Sequence, residues 1–165
     1  MSKLLKKLLP VKIKALVYFM PKESDINIDA SLFEVKIFTG NYRSGIDKID
    51  KRTNENNSCY TVFINSELAH VTWLFKNKLL TKQLGEKNAY TVGDSLTNEK
   101  YRGKGIYPFV LRTIAKATSK DIIIYVEPDN IASVRGIEKA GFKKKYSFSM
   151  IRFLGVKLWC TKHAA

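Results

Sequence analysis

The chain is poor in the residues that build several common kinds of site. It has two cysteines, Cys59 and Cys160, far apart and in no metal-ligand spacing. No zinc pattern or disulfide framework follows, so both are expected to be reduced thiols of a cytoplasmic protein that binds no metal. Histidines also number two, His70 and His163. No apolar run approaches a membrane span. The run Ala15 to Met20 is too short for a signal peptide and lacks a small-residue cleavage site. Internal repeats are absent, as are the phosphate pattern G-x-x-x-x-G-K-[ST] and any RNA- or DNA-reading motif, so no specific nucleic-acid partner is expected. Acidic residues are scarce: 15 against 29 lysines and arginines, a formal charge of +14. That excess concentrates anions at the surface, and a lysine-rich surface equally keeps a protein soluble.

The 165 residues, 45% of them apolar, are enough for one domain spanning 1–165 with one core. Residues 1–10 set Leu4, Leu5, Leu8 and Leu9 beside Lys3, Lys6 and Lys7, a basic amphipathic segment able to make weak contact with an anionic membrane. Strands are expected at Val11 to Met20, Leu32 to Phe38, Cys59 to Ile64, Glu67 to Phe75, Ala89 to Leu96, Ile122 to Val126, Tyr146 to Phe153 and Val156 to Cys160. Turns are expected at Asn65-Ser66 and near Leu154-Gly155. Asn41 to Asn57 reads as a short charged helix and loop.

The most informative stretch is Asn98 to Lys120. A strand, the loop Tyr101-Arg102-Gly103-Lys104-Gly105 and a helix follow in that order. Glycines let main-chain N–H groups converge, the first helical turn has N–H groups without partners, and the helix dipole with Arg102 and Lys104 adds positive charge. A phosphate or pyrophosphate suits such a place. Ile106, Phe109, Val110, Thr113, Ile114 and Ala117 recur at helical spacing and give the helix a packing face. Pro108 falls in the first turn, where its missing N–H costs nothing. It also stands where the dinucleotide fingerprint G-x-G-x-x-G needs its third glycine, which excludes that reading.

Arg102 to Tyr107 resembles the [RQ]-x-x-G-x-[GA] loop of the GNAT N-acetyltransferases, departing from it only at Tyr107. Asn130 to Phe142, NIASVRGIEKAGF, is similar to their N-x-x-A-x-x-L-Y-E-K-x-G-F segment. In its own right, Asn130 suits a helix N-cap, Gly141 a left-handed C′ residue and Phe142 the anchor beyond it. The resemblance implies an α/β fold, a GNAT-like mixed, curved sheet of about seven strands flanked by helices. It also implies acetyl-CoA as acyl donor and a small-molecule amine as acceptor. The tract Arg-Gly-Lys-Gly-Ile-Tyr-Pro, with the histidine-bearing strand before it, looks like that of bacterial members that modify sugars or surface polysaccharides, hence an amino sugar. The rival class is a non-catalytic basic module that holds CoA or another phosphate and touches membrane or nucleic acid.

Carried over residue by residue, the resemblance implies a pyrophosphate on Arg102, Gly103, Lys104, Gly105, Ile106 and Tyr107. The pantetheine arm would run along Leu96 and Thr97, with the Leu96 N–H on the acyl carbonyl, and Asn130 and Ser133 would approach it from the second segment. The family's usual acid, a tyrosine, is replaced by Ile137; Tyr107 and Tyr146 are the substitutes. The candidate bases are Asp94, two residues before Leu96, then His70, then Glu127 at the end of the strand after the helix. The short polar region before residue 58 would leave the acceptor wall open or supplied by a second subunit, a homodimer.

Overall fold

The computed structural model describes residues 9–22, 24–29, 32–40, 43–154 and 156–164. The expected amphipathic segment lies outside them except for Leu9 and Pro10, as does Gly155 of the last turn. Eight strands are described: β1 (Val11–Met20), β2 (Val35–Phe38), β3 (Asn57–Ile64), β4 (Glu67–Phe75), β5 (Tyr90–Thr97), β6 (Ile122–Val126), β7 (Lys143–Phe153) and β8 (Val156–Ala164). The four described helices are α1 (Asp47–Asp50), α2 (Leu79–Gln83), α3 (Ile106–Ala117) and α4 (Ile131–Lys139).

The strands form one open sheet in the order β2-β3-β4-β5-β6-β1-β7-β8. The sheet is α/β and mixed: β5 and β6 pair in parallel, joined across α3, and the other neighbours are antiparallel. Parallel neighbours need a long crossover, and the capped amphipathic stretch after residue 105 provides it. Asn65 and Ser66 form the two-residue turn between β3 and β4, both with positive φ, 52° and 64°. That geometry matches the twist of a hairpin, and asparagine tolerates it better than most residues.

β6 sits near the middle, buried on both faces, which is why Ile122 to Val126 reads as a continuous apolar run rather than an alternating one. Its Ile122, Ile124 and Val126 face α3 and α4 in the larger core with Tyr18, Leu74, Val92, Phe109, Ile114 and Phe142. On the opposite face Ile123 packs with Val17, Phe148 and Leu84 just beyond α2, while Trp73, Phe75 and Cys59 pack with Ile49 of α1.

α3 is sunk deeper than a one-sided helix. Pro108, Leu111 and Ala115 are buried along with Ile106, Phe109, Val110 and Ile114, whereas Ala117 is exposed, because α4 covers a second side. Truncating Phe109 or Ile114 would cost about 2–5 kcal/mol by leaving a cavity. α4 is held at both ends. The Asn130 side chain accepts from the Ser133 N–H at 3.2 Å. At the far end Gly141, φ 97°, closes a Schellman motif in which the Phe142 N–H reaches Ile137 O and the Gly141 N–H reaches Glu138 O. Tyr18 of β1 donates to Glu138 at 2.7 Å and ties α4 to the sheet.

Candidate active site

Two features of β5 open a cleft. Its pairing with β6 ends at Val92, yet the strand continues to Thr97, so the two part company. Just past that point the register against β4 slips: Gly93 faces Trp73 but Leu96 faces Val71, three steps against two. The extra residue is a β-bulge, and Asp94 within it takes φ 52°.

Into the gap points the start of α3. Gly103 and Gly105 both have φ 77°, and Gly105 is the N-cap. Among the described residues no main-chain acceptor is bonded to the N–H groups of Gly103, Lys104, Gly105, Ile106 or Tyr107; the first helical bond is Phe109 N–H to Gly105 O, 3.2 Å. A Cβ on either glycine would meet nothing within 4 Å, so the loop is open to whatever those donors hold. Arg102 braces it, its Nε donating to Thr97 O and its Nη1 to Glu99, both at 3.3 Å. The Lys104 ammonium lies over the Tyr101 ring, 5.2 Å from its centre, and Tyr101 donates to Glu67 at 2.8 Å.

The cleft has a volume of about 530 Å³. Leu96, Thr97, Arg102, Gly103, Gly105, Ile106, Tyr107, Asn130 and Ser133 line it, so nine of the ten residues expected to hold the donor come together; Lys104 stands beside it. Ser95, Arg135 and Lys139 also line it. The two cations sit one turn apart on α4, a spacing readable in the sequence as a basic stripe.

One expected contact is corrected. The Asn98 N–H donates to Ala69 O, which fixes the ladder alternation so that the Leu96 main chain is spent on Val71. The same alternation turns the Thr97 N–H away from β4, toward the gap. The bulge sets this parity, and its only sequence sign is the Gly93-Asp94 pair inside a strand.

Tyr107 fills the position where the resembling loop has a small residue. Its ring lies against Gly136: a Cβ there would stand 2.6 Å from Tyr107 Cδ1. Position 136 is leucine in the similar segment, so a large side chain on α3 is matched by a missing one on α4. Burial raises the Tyr107 phenol to about 12, with the Ser95 hydroxyl in hydrogen-bonding reach. Ile137 is fully buried in the core and offers the cleft no proton.

The proposed bases are scattered. Asp94 lies on the far side of the sheet from α3, ion-paired with Arg52, and does not line the cleft. His70 is 1% exposed, its Nδ1 2.8 Å from Thr97 Oγ1 and its Nε2 2.6 Å from Thr72 Oγ1. Burial lowers its pKa to about 4, so it is neutral at pH 7. Glu127 is exposed beyond β6. Tyr146 is buried on the opposite face among Phe148 and Met150, its phenol pushed up by burial and then by Glu86.

Among the described residues no group of three or more histidine, cysteine or acidic side chains is placed to hold a metal, and no helix is long and apolar enough to cross a membrane. No protein-family model matches the chain, and no curated protein sequence does. Solved structures do. One from Novosphingobium aromaticivorans, assigned to the GNAT family as an acetyltransferase, superposes with a TM-score of 0.58 at 15% identity over 85% of this chain and 65% of its own. A GNAT-family acetyltransferase from Colwellia psychrerythraea gives 0.58 at 14% identity over 90% and 59%. A conserved protein of unknown function from Staphylococcus epidermidis gives 0.55 at 9% over 88% and 64%. The chain thus spans less than two thirds of the length of each. Open mixed sheet, parting strands and glycine loop together give this chain a GNAT-like fold.

Proposed function

We propose that the protein transfers an acyl group from acetyl-CoA to the amine of a small molecule, an amino sugar being the favoured class. The observation that carries this reading is the row of unengaged amides from Gly103 to Tyr107 at the head of a helix, opening on a cleft flanked by Arg102, Arg135 and Lys139. Those donors fit a diphosphate, and the cations fit its charge. The bound thioester supplies an activated acyl carbon. The chain supplies the rest: the Thr97 N–H is a donor for a carbonyl oxygen in the gap, fixed in place before any substrate arrives. Asn130 and Ser133 border the path from α4.

Tyr107 is the proton donor we assign to the departing thiolate, since its phenol stays protonated at neutral pH and lies by Ser95. Asp94 is the acceptor of the amine's proton, through water, from the α1 side of the sheet. His70, neutral and bonded to two threonines, positions Thr97 rather than exchanging protons.

Buried Ile137 favours a second reading, a module that holds CoA without turning it over. Thermal-shift measurements with acetyl-CoA, CoA and single-stranded oligonucleotides, followed by thiol release across an amine panel, separate the two. Stabilisation by both CoA forms together with amine-dependent thiol release supports transfer. Stabilisation without release, or salt-sensitive oligonucleotide binding instead, supports the module.

A further inference from the structure

On the α1 face of the sheet, where β5 leaves β6, three charged side chains meet two stacked aromatic rings. Trp73 and Phe75 lie 6.5 Å apart at 22°, and the Arg52 guanidinium covers both, 4.8 and 5.1 Å from their centres. Arg52 is paired with Asp94. The Lys78 ammonium reaches over the same surface, 4.3 Å from the Phe75 ring centre and 3.5 Å from where a Cβ on Gly93 would stand. It thus lies on the β5 backbone at the first residue past the last β6 pair. No carboxylate among the described residues is ion-paired with it; the nearby Asp94 is paired with Arg52 instead.

Lys78 is half-buried there, and burial lowers its pKa, with Asp94 opposing the shift and Arg52 adding to it. The cluster therefore holds two cations against one carboxylate, and the ammonium over the Phe75 ring is the one without an ion-pair partner among the described residues. Glycine at 93 keeps the β5 backbone open beneath it. Gly93 is two residues from Ser95, a lining residue of the donor cleft, across the bulge at Asp94, a chain reach of at most about 7 Å. A group held at Lys78 therefore lies a few bonds' length from the acyl end of that cleft.

From this juxtaposition we infer that the acceptor carries an oxyanion, a carboxylate or a phosphate, which docks between Lys78 and Arg52 with its amine directed at the gap beside Asp94. The inference rests on the acyl-transfer reading and narrows its substrate to amines bearing an anionic substituent a short distance away. Trp73 and Phe75 form the wall beneath it.

Paired probes test this by calorimetry: glucosamine against glucosamine 6-phosphate, and propylamine against β-alanine, on the wild type, Lys78→Met and Lys78→Arg, each with and without CoA. At least one anionic probe should bind tenfold or more tightly than its neutral counterpart. The preference should shrink to within twofold in Lys78→Met and return in Lys78→Arg, with CoA affinity equal in all three. Which pair shows the preference tells phosphate from carboxylate. Absence of a preference in both pairs, or one that Lys78→Met leaves intact, overturns the inference. Failure of CoA itself to bind would instead remove the acyl-transfer reading, and the titrations without CoA would still decide the anion site.

Discussion

Tyr107 and Gly136 form a reciprocal pair, each departing from the resembling segments in the direction that accommodates the other. Sequence alone exposes the two departures but not their contact, because the residues lie on different helices. Adding a methyl at Gly136 puts it 2.6 Å from the Tyr107 ring, so Gly136→Ala should destabilise by about 1–3 kcal/mol. Tyr107→Ala should relieve that cost in the double variant, read as a non-additive shift of the denaturation midpoint. Additive shifts would mean that the contact is not felt. Asp94 was legible as a polar residue near the acyl end, whereas its pairing with Arg52 depends on a bulge that no proline or paired glycine announces. Asp94→Asn should leave CoA affinity within twofold and lower kcat tenfold or more; unchanged turnover would remove Asp94 from proton transfer.

At the scale of elements, the strand, loop and helix from Ala89 to Ala117 were readable because each boundary carries its own chemistry: β-branched residues, then paired glycines, then an apolar stripe. The helix caps of α4 were readable for the same reason, with Asn130 and Gly141 in their expected roles. What the pattern concealed was α2, whose five residues LLTKQ are too few to show a period, and the direction of the Leu96 N–H, which depends on ladder parity. β7 begins at Lys143 rather than Tyr146, and β8 runs on to Ala164, because pairing with a neighbour extends strands past their apolar centres. Gly141 has φ 97°, so Gly141→Ala should cost about 1–2 kcal/mol of stability, seen in chemical denaturation; no loss would contradict the Schellman assignment.

For the molecule as a whole, the order of the strands could not be read from the chain, since β1 returns between β6 and β7 only through long-range pairing. Among the described residues the sheet has eight strands, where about seven were expected. Its interior predicts an acid sensitivity. The His70 pKa falls from 6.5 to about 4 on folding, so the unfolded chain binds more protons between those values. Stability from this group is complete above about pH 6.5 and declines as pH falls toward 4, by on the order of 3 kcal/mol in all. His70→Gln should flatten the unfolding free energy across that window; a slope equal to the wild type's would place its origin elsewhere.

The account turns on the loop at the head of α3, and calorimetric titration of CoA into the wild type and Gly105→Asp probes it directly. A carboxylate placed among those amides should weaken CoA binding a hundredfold or more, well beyond the cost of about 1 kcal/mol in stability that a side chain at φ 77° carries. Equal affinity in the two proteins, or no CoA binding by the wild type, would contradict it.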